Sequence, residues 1–318
     1  MKAILATPSG AQLQDVAPPA PSADQVLVRV RAASLNRADL RTLANGQNDV
    51  LGMEWAGDVV EVGSNVKEFA PGDRVMCSGA RAFAEYAVTD RGRVAHIPES
   101  LSYRTGASIM LALQTMHNAV VTHGRVLAGD TVLIHGASSG VGLMAAQIAR
   151  LKGARLVIGT SRSEQKRQAL EAAGFDLAVD ASHTDWTAKV LEATGDKGAN
   201  VIIDQVAGEH FNDLIRVSAL LARIVNVGRL GGPSGPFDFE THALKRITYT
   251  GVTFRTRTAD EIRELTTLMM QDLGQALADG TLSMPLDSDF PLEQAQAAYD
   301  RMAANQHFGK ITLSLQGD

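Results

Sequence analysis

A run of mostly aliphatic residues, Thr131-Val132-Leu133-Ile134-His135, leads directly into Gly136-Ala137-Ser138-Ser139-Gly140-Val141-Gly142. A buried strand, a glycine-rich turn and a helix start make a cradle for the phosphates of a dinucleotide. Glycines let the backbone approach a pyrophosphate, and the helix N-terminus offers N–H groups and a positive dipole end to the anion. Ser138, Ser139, Gly140 and Val141 are the turn residues expected against the cofactor. The spacing is not the strict G-x-G-x-x-G, so context has to carry the reading. Met144, Ile148 and Leu151 follow at i, i+4 and i+7, one face of a helix. A second strand, from Arg155 to Thr160, completes a βαβ unit of about thirty residues.

The end of that second strand bears on which dinucleotide is bound. An NAD-selective site places Asp or Glu about twenty residues after the glycines, on the ribose 2′-hydroxyl. Here the corresponding stretch, Thr160-Ser161-Arg162-Ser163, has no acid, and Lys166 lies one turn on. A 2′-phosphate is attracted by cations and hydroxyl donors and repelled by a carboxylate. Ser161, Arg162 and Lys166 supply the favourable set, so NADPH is the expected cofactor. In the plainer reading of the same residues, Ser163 N-caps the next helix and the cations are merely solvated.

These residues need a scaffold, and the chain is long enough at 318 residues for two domains. Its 45% hydrophobic and 20% charged content is that of an ordinary globular protein. A net charge of −5 without a basic run argues against a nucleic-acid surface. No stretch reaches the ~18 apolar residues of a membrane span, and the N-terminus opens as a strand, not as a secretion signal. The one cysteine, Cys77, excludes an intramolecular disulfide and a cysteine-based zinc cluster. A cytoplasmic enzyme is expected.

Before about residue 115 the sequence is strand-rich. Gln25–Ala32 alternates apolar and polar residues, Trp55–Gly63, Asp73–Cys77 and Ala82–Val88 are further strands, and Thr105 to Thr122 reads as a helix. From about 131 to 254, strands and helices alternate, the signature of a parallel sheet covered on both faces. Its later strands end at Asp204, at Val227-Gly228 and, over Tyr249–Phe254, at Thr253-Phe254. Ligands sit at the carboxyl ends of such strands, so these endings are candidate cofactor contacts. A helix from about Ala259 to Asp279, a helix started by Pro291 and a strand Lys310–Leu315 follow. That strand has no place in a six-strand nucleotide sheet and is expected to return to the first module. The fold class is α/β, a doubly wound Rossmann sheet (116–256) plus a β domain (1–115 and 257–318).

Taken together, the motifs resemble the medium-chain dehydrogenase/reductases, in their zinc-free quinone oxidoreductase branch. The likeness is carried in order by Asn36-Arg37-Ala38-Asp39-Leu40, Leu51-Gly52-Met53-Glu54-Trp55-Ala56-Gly57, Pro71-Gly72-Asp73-Arg74-Val75, Ala84-Glu85-Tyr86, the Gly136–Gly142 turn and Asn305-Gln306-His307-Phe308-Gly309-Lys310. The resemblance implies a GroES-like β-barrel-type catalytic domain holding substrate, a Rossmann domain holding NADPH, a cleft between them, and homodimers. It implies hydride transfer to quinones or α,β-unsaturated carbonyls. It puts Asn36 near the nicotinamide and substrate, Thr115 and Asn305 at the nicotinamide side or the phosphates, and Val206, Gly228 and Phe254 among the strand-end contacts. Zinc-dependent relatives carry Cys and His where this chain has Asn36 and Met53, and an amide and a thioether are poor zinc ligands. No metal is therefore expected, and an acceptor that is already electron-poor suits a site without a Lewis acid.

Two departures stand out. The loop Thr42–Val50 is short and has no aromatic residue, and Val179-Asp180-Ala181-Ser182-His183 lacks the tyrosine that often meets the adenosine phosphate. His135 and Tyr86 are read as structural, and no Ser-His-Asp pattern argues for hydrolysis. A short-chain dehydrogenase would open with its glycine motif and carry Tyr-x-x-x-Lys, and this chain does neither. The alternative of another class is an NADPH-binding sensor or scaffold with little or no turnover.

Overall fold

The strand-rich portion of the sequence builds a unit from both ends of the chain. Met1–Gln114 and the chain from Arg257 onward form this first unit, and Thr115–Thr256 form the second. The computed structural model describes residues 1–315.

In the first unit the strands are β1 (Lys2–Thr7), β2 (Gly10–Asp15), β3 (Gln25–Ser34), β4 (Glu54–Val62), β5 (Arg74–Ser78), β6 (Tyr86–Asp90), β7 (Val94–His96), β14 (Leu286–Pro291) and β15 (Lys310–Ser314). Its helices are α1 (Asp39–Asn45), α8 (Ala259–Ala278) and α9 (Ala295–Ala303), and α2 (Tyr103–Met116) runs to its boundary. β1 and β2 make a hairpin, and the other seven strands form one sheet in the order β14-β15-β3-β4-β5-β7, with β6 also on β3. β3 therefore has three neighbours. This is why it is buried almost throughout, with Arg29 its one exposed residue, and does not alternate as a half-buried strand would. Trp55, Phe83, Tyr299 and Leu313 meet in its core, so residues from both chain ends fill one interior.

The sequence reading differs from the structure at several places here: Thr42–Asn45, read as the start of a loop, belong to α1, and the short strands β2 and β7 had no counterpart in that reading. Ala82–Ala84 lie ahead of β6, because Phe83 exchanges backbone bonds with Ile4 (2.7 Å) and Leu51 (2.8 Å) instead of continuing the ladder. Pro291 ends β14, and α9 starts only after a 3₁₀ turn at Leu292–Gln294. β14 itself had no counterpart in the sequence reading. The C-terminal strand β15 does return to the first unit, parallel to β14 and antiparallel to β3.

The second unit holds β8 (Thr131–His135), α3 (Gly140–Leu151), β9 (Leu156–Thr160), α4 (Glu164–Ala172), β10 (Leu177–Val179), α5 (Trp186–Ala193), β11 (Ala199–Asp204), α6 (Phe211–Val217), β12 (Ser218–Asn226), α7 (Phe239–Lys245) and β13 (Thr248–Gly251). Its six strands are all parallel in the order β10-β9-β8-β11-β12-β13, the Rossmann arrangement. Leu133, Ile158, Ile202 and Ile224 fill the sheet, and Trp186 stacks on His135 at 5.9 Å.

The helix expected from Thr105 to Thr122 changes pitch at His117–His123 into a π-helix, where the Gly124 N–H reaches Ala119 O five residues back (2.8 Å). Leu151, the last residue of α3, is 41% exposed and so does not share the buried face of Met144 and Ile148. β13 ends at Gly251, which leaves Thr253 and Phe254 beyond the strand. Among the described residues, no helix is long and apolar enough to cross a membrane.

Candidate active site

The glycine turn follows β8, and its shape is held by side chains from the neighbouring strand. Gly136 adopts φ +82°, a conformation open to glycine, and a Cβ on Gly142 would stand 2.4 Å from Ala137 O. Ser139 N-caps α3, its Oγ accepting from Gly142 N at 3.1 Å. The same hydroxyl donates to Gln205 Oε1 (2.9 Å), and Gln205 Nε2 donates to Gly136 O (3.2 Å). With the Ser139 hydroxyl occupied, the groups this turn can offer an anion are the backbone N–H groups of Gly140 and Val141 and the dipole of α3. Ser138 lies partly exposed on the same turn.

At the end of β9, Ser161 is partly buried and Arg162 exposed. Ser163 does N-cap α4, accepting from Lys166 N at 3.4 Å, so the capping role and the cationic turn coexist. After β11 and β12, Asp204 Oδ1 accepts from Val206 N (2.9 Å) and Ala207 N (3.0 Å). Asn226 Nδ2 donates to Asp204 Oδ2 (3.1 Å) and to Gly228 O (2.9 Å). The two loops carrying Val206, Val227 and Gly228 are thus tied to one buried carboxylate. Ala207 sits at φ 54°, ψ −148°, a region nearly confined to glycine, which stores about 1–3 kcal/mol of strain beside Val206. Thr253 Oγ1 accepts from Arg255 N at 3.2 Å, and Thr115 is in the last turn of α2. The parallel topology collects the turns after β8, β9, β11, β12 and β13 on the carboxyl edge of one sheet.

Asn36 belongs to the first unit, just ahead of α1, and its amide is fully engaged. Lys310 Nζ donates to Asn36 Oδ1 (2.8 Å) and to Glu54 Oε2 (2.7 Å), and Asn36 Nδ2 donates to Glu54 Oε2 (3.1 Å). Glu54 Oε1 accepts from Leu111 N (2.7 Å). Lys310 is 6% exposed and Glu54 is wholly buried, so this is an ion pair inside the unit. Asp39, at the start of α1, accepts from Asn36 N at 2.7 Å. Burial pushes its carboxyl up to about 7 against the pull of the Asn36 amide and Lys310, with Glu54 adding to the rise. The Tyr299 hydroxyl is buried without a hydrogen-bond partner, and burial, then Asp39, raises its pKa strongly. Asn305 is exposed and its Oδ1 takes a bond from Arg37 Nη2, which also donates to Met302 O (3.2 Å). Tyr86 lies partly buried on β6.

A zinc ion does not fit this donor set. Asn36 Oδ1 already holds an ammonium, Met53 offers only a thioether, and among the described residues no three His, Cys, Asp or Glu side chains converge as a metal group.

Sequence reasoning did not single out Gln205, Asn226, Arg167 or the Lys310–Glu54 pair. A lone polar residue directly after a buried strand was the available signal for Gln205. Asn226 and the Lys310–Glu54 pair act through contacts between separate segments, and Arg167 through carbonyl and carboxylate acceptors that no local pattern marks.

The chain matches two families, one described as "Alcohol dehydrogenase GroES-like domain" over residues 22–99 and one as "Zinc-binding dehydrogenase" over residues 140–271. The mouse quinone oxidoreductase is 31% identical over 312 residues, 95% of this chain and 92% of the relative. A highly reducing polyketide synthase of Emericella nidulans is 29% identical over 95% of this chain, which matches 12% of that protein. Among solved structures, a Pseudomonas syringae quinone oxidoreductase superposes with a TM-score of 0.86 at 27% identity, covering 98% of this chain and 99% of the other.

Proposed function

This chain belongs to the medium-chain dehydrogenase/reductases, in their quinone oxidoreductase-like branch, and from that premise we propose that it passes hydride from NADPH to quinones or α,β-unsaturated carbonyls without a metal. At the coarser level it is an NAD(P)-dependent oxidoreductase acting on a small molecule. The observation that carries the proposal is the carboxyl edge of the parallel sheet, where an N-capped glycine turn lies next to the turn Ser161–Ser163, which bears Arg162 and no carboxylate, with Lys166 and the exposed Glu164 following in the first turn of α4. The acceptor class is supported by relatives whose names record quinone reduction.

NADPH when bound supplies the hydride. The protein's share is to hold and orient. The α3 N-terminus receives the pyrophosphate, Arg162 and Lys166 the 2′-phosphate, and Val206, Val227, Gly228, Thr253, Phe254 and Thr115 line the rest of the cofactor. Asn36 is the residue proposed at the reacting end, its amide plane set by Lys310 and Glu54. Asn305 is proposed at the nicotinamide side or the cofactor's phosphates. A homodimer is part of the proposal. Among the described residues β13 pairs on one side only, its Tyr249 is exposed, and Phe239 (76% exposed) and Leu244 are exposed on α7 before it. Sedimentation at the mass of one chain would remove it.

The deciding experiment is NADPH oxidation followed by absorbance against a panel of quinones and 2-alkenals, with NADH in parallel. Turnover with one class is expected. Tight NADPH binding with no oxidation across the panel would leave a sensor or scaffold in its place. Asn36→Ala is expected to lower kcat about tenfold to a hundredfold through lost positioning, and undiminished turnover would take Asn36 out of the mechanism.

A further inference from the structure

At the end of β10 the sequence has an acid, Asp180, where the proposed 2′-phosphate turn is next door. Its charge does not stand alone. Arg167, on α4, directs one nitrogen at three oxygens: Nη1 donates to Ser161 O (2.9 Å), to Arg162 O (3.1 Å) and to Asp180 Oδ2 (2.9 Å). Both side chains are largely covered, at 22% and 15% exposure. The other carboxylate oxygen, Oδ1, accepts from Ser182 N (3.0 Å) and Ser182 Oγ (2.6 Å), and His183 Nε2 lies 3.7 Å from Oδ2 on the solvent side. Ser161 N in turn donates to Val179 O (3.0 Å). The turn after β9 and the turn after β10 are therefore tied through one guanidinium. Arg162 points into solvent while its own carbonyl is fixed from behind.

We propose that Arg167 and Asp180 form the specificity-determining pair of the cofactor site: Arg167 sets the backbone of the Ser161–Arg162 turn and cancels the Asp180 charge that would otherwise repel a 2′-phosphate. Neither residue needs to touch the cofactor. Arg167 is spent on protein oxygens, and its charge matters because it lies between a carboxylate and the turn. The inference rests on the proposed NADPH preference. It makes Arg162 the contact and Arg167 the residue that allows the contact.

The test is a set of dissociation constants for NADPH and NADH, read by the fluorescence of the reduced nicotinamide on the intact chain without acceptor. It covers the wild type, Arg167→Met, Asp180→Asn and the double variant. Arg167→Met is expected to weaken NADPH at least about tenfold, the scale of one uncompensated charge at short range near a surface, and to leave NADH within about twofold. The double variant is expected to bind NADPH more tightly than Arg167→Met yet less tightly than the wild type, because the Asp180 charge is gone but the Ser161 and Arg162 carbonyls have lost their donor, and Asp180→Asn alone to bind NADPH as tightly as the wild type or more so. Added salt should narrow these differences. Equal loss of both cofactors in Arg167→Met, or a tenfold loss of NADPH in Asp180→Asn, overturns the pair's role while the NADPH reading stands. A wild type that binds both cofactors alike overturns the NADPH reading itself, and the pair's role with it. If Arg167→Met does not fold, Asp180→Asn still decides the electrostatic half.

Discussion

Lys310→Met is expected to destabilise the first unit by about 3–5 kcal/mol, the range seen when one partner of a buried ion pair is removed. The reason is the company its ammonium leaves behind. Glu54 is wholly buried, and its neutral donors, Leu111 N, Asn36 Nδ2 and Ser34 Oγ (3.4 Å), supply hydrogen bonds but no opposite charge. Without Lys310 the carboxylate faces a low-dielectric interior with Asp39 nearby, and Asn36 Oδ1 loses its donor. Urea unfolding of Lys310→Met should show the loss as a lowered midpoint. The double variant Lys310→Met/Glu54→Gln should recover most of it, because no uncompensated charge remains. A loss below about 1 kcal/mol would mean that the pair behaves as a surface salt bridge. The kinetic consequence follows from the same bonds: even where Lys310→Met is folded, its turnover should fall in the manner of Asn36→Ala.

The second large effect concerns acidity, and two buried groups set it with opposite signs. Asp39 has its carboxyl raised from an ordinary 3.8 to about 7, with burial the chief cause. The native state then keeps a proton that the unfolded chain releases, so stability falls as pH rises from about 4 to about 7, by roughly 4 kcal/mol in all. His135 is lowered from 6.5 to about 4, again chiefly by burial, with Asp204 opposing and His210 assisting. The unfolded chain then takes up a proton that the native state refuses, so stability falls as pH drops through that same window, by roughly 3 kcal/mol. In the wild type the two slopes largely cancel, and thermal unfolding between pH 4 and 7 should be nearly flat. Asp39→Asn should expose a stability that climbs with pH. His135→Phe, which keeps a ring against Trp186, should expose one that declines. Should the units melt separately, each slope will appear in the transition of the unit that holds the residue. An Asp39→Asn profile parallel to the wild type would refute the assignment.

Much of this architecture could be read from the residues because local pattern and global role agree. The strand before Gly136, the helix after it and the strand at Leu156–Thr160 are each marked by their own periodicity, and the turn between them by its glycines. β15 could be assigned to the first unit by elimination. What stayed hidden had no local mark. β14 is Leu-Asp-Ser-Asp-Phe-Pro, too polar to announce a strand, and is held by its partner β15. Thr253 and Phe254 read as strand because β-branched and aromatic residues do so anywhere, but the ladder stops at Gly251. The Lys310–Glu54 pair joins residues 256 positions apart. Arg167 looks like one more cation on a charged helix until its three acceptors are seen.

The two-ended origin of the first unit governs how the molecule can come into being. As the chain leaves the ribosome, the first two hairpin strands and β3 to β7 emerge early, yet the sheet they belong to lacks β14 and β15, and its core lacks Tyr299, Ile311 and Leu313. The second unit is contiguous and complete once Thr256 is out. Lys310, the counter-charge to Glu54, is made 256 positions after it. The nascent first unit thus carries a buried-type carboxylate and an open sheet edge until β15 has been made. Its closure is a late, long-range event, whereas the nucleotide-binding unit can fold in step with translation.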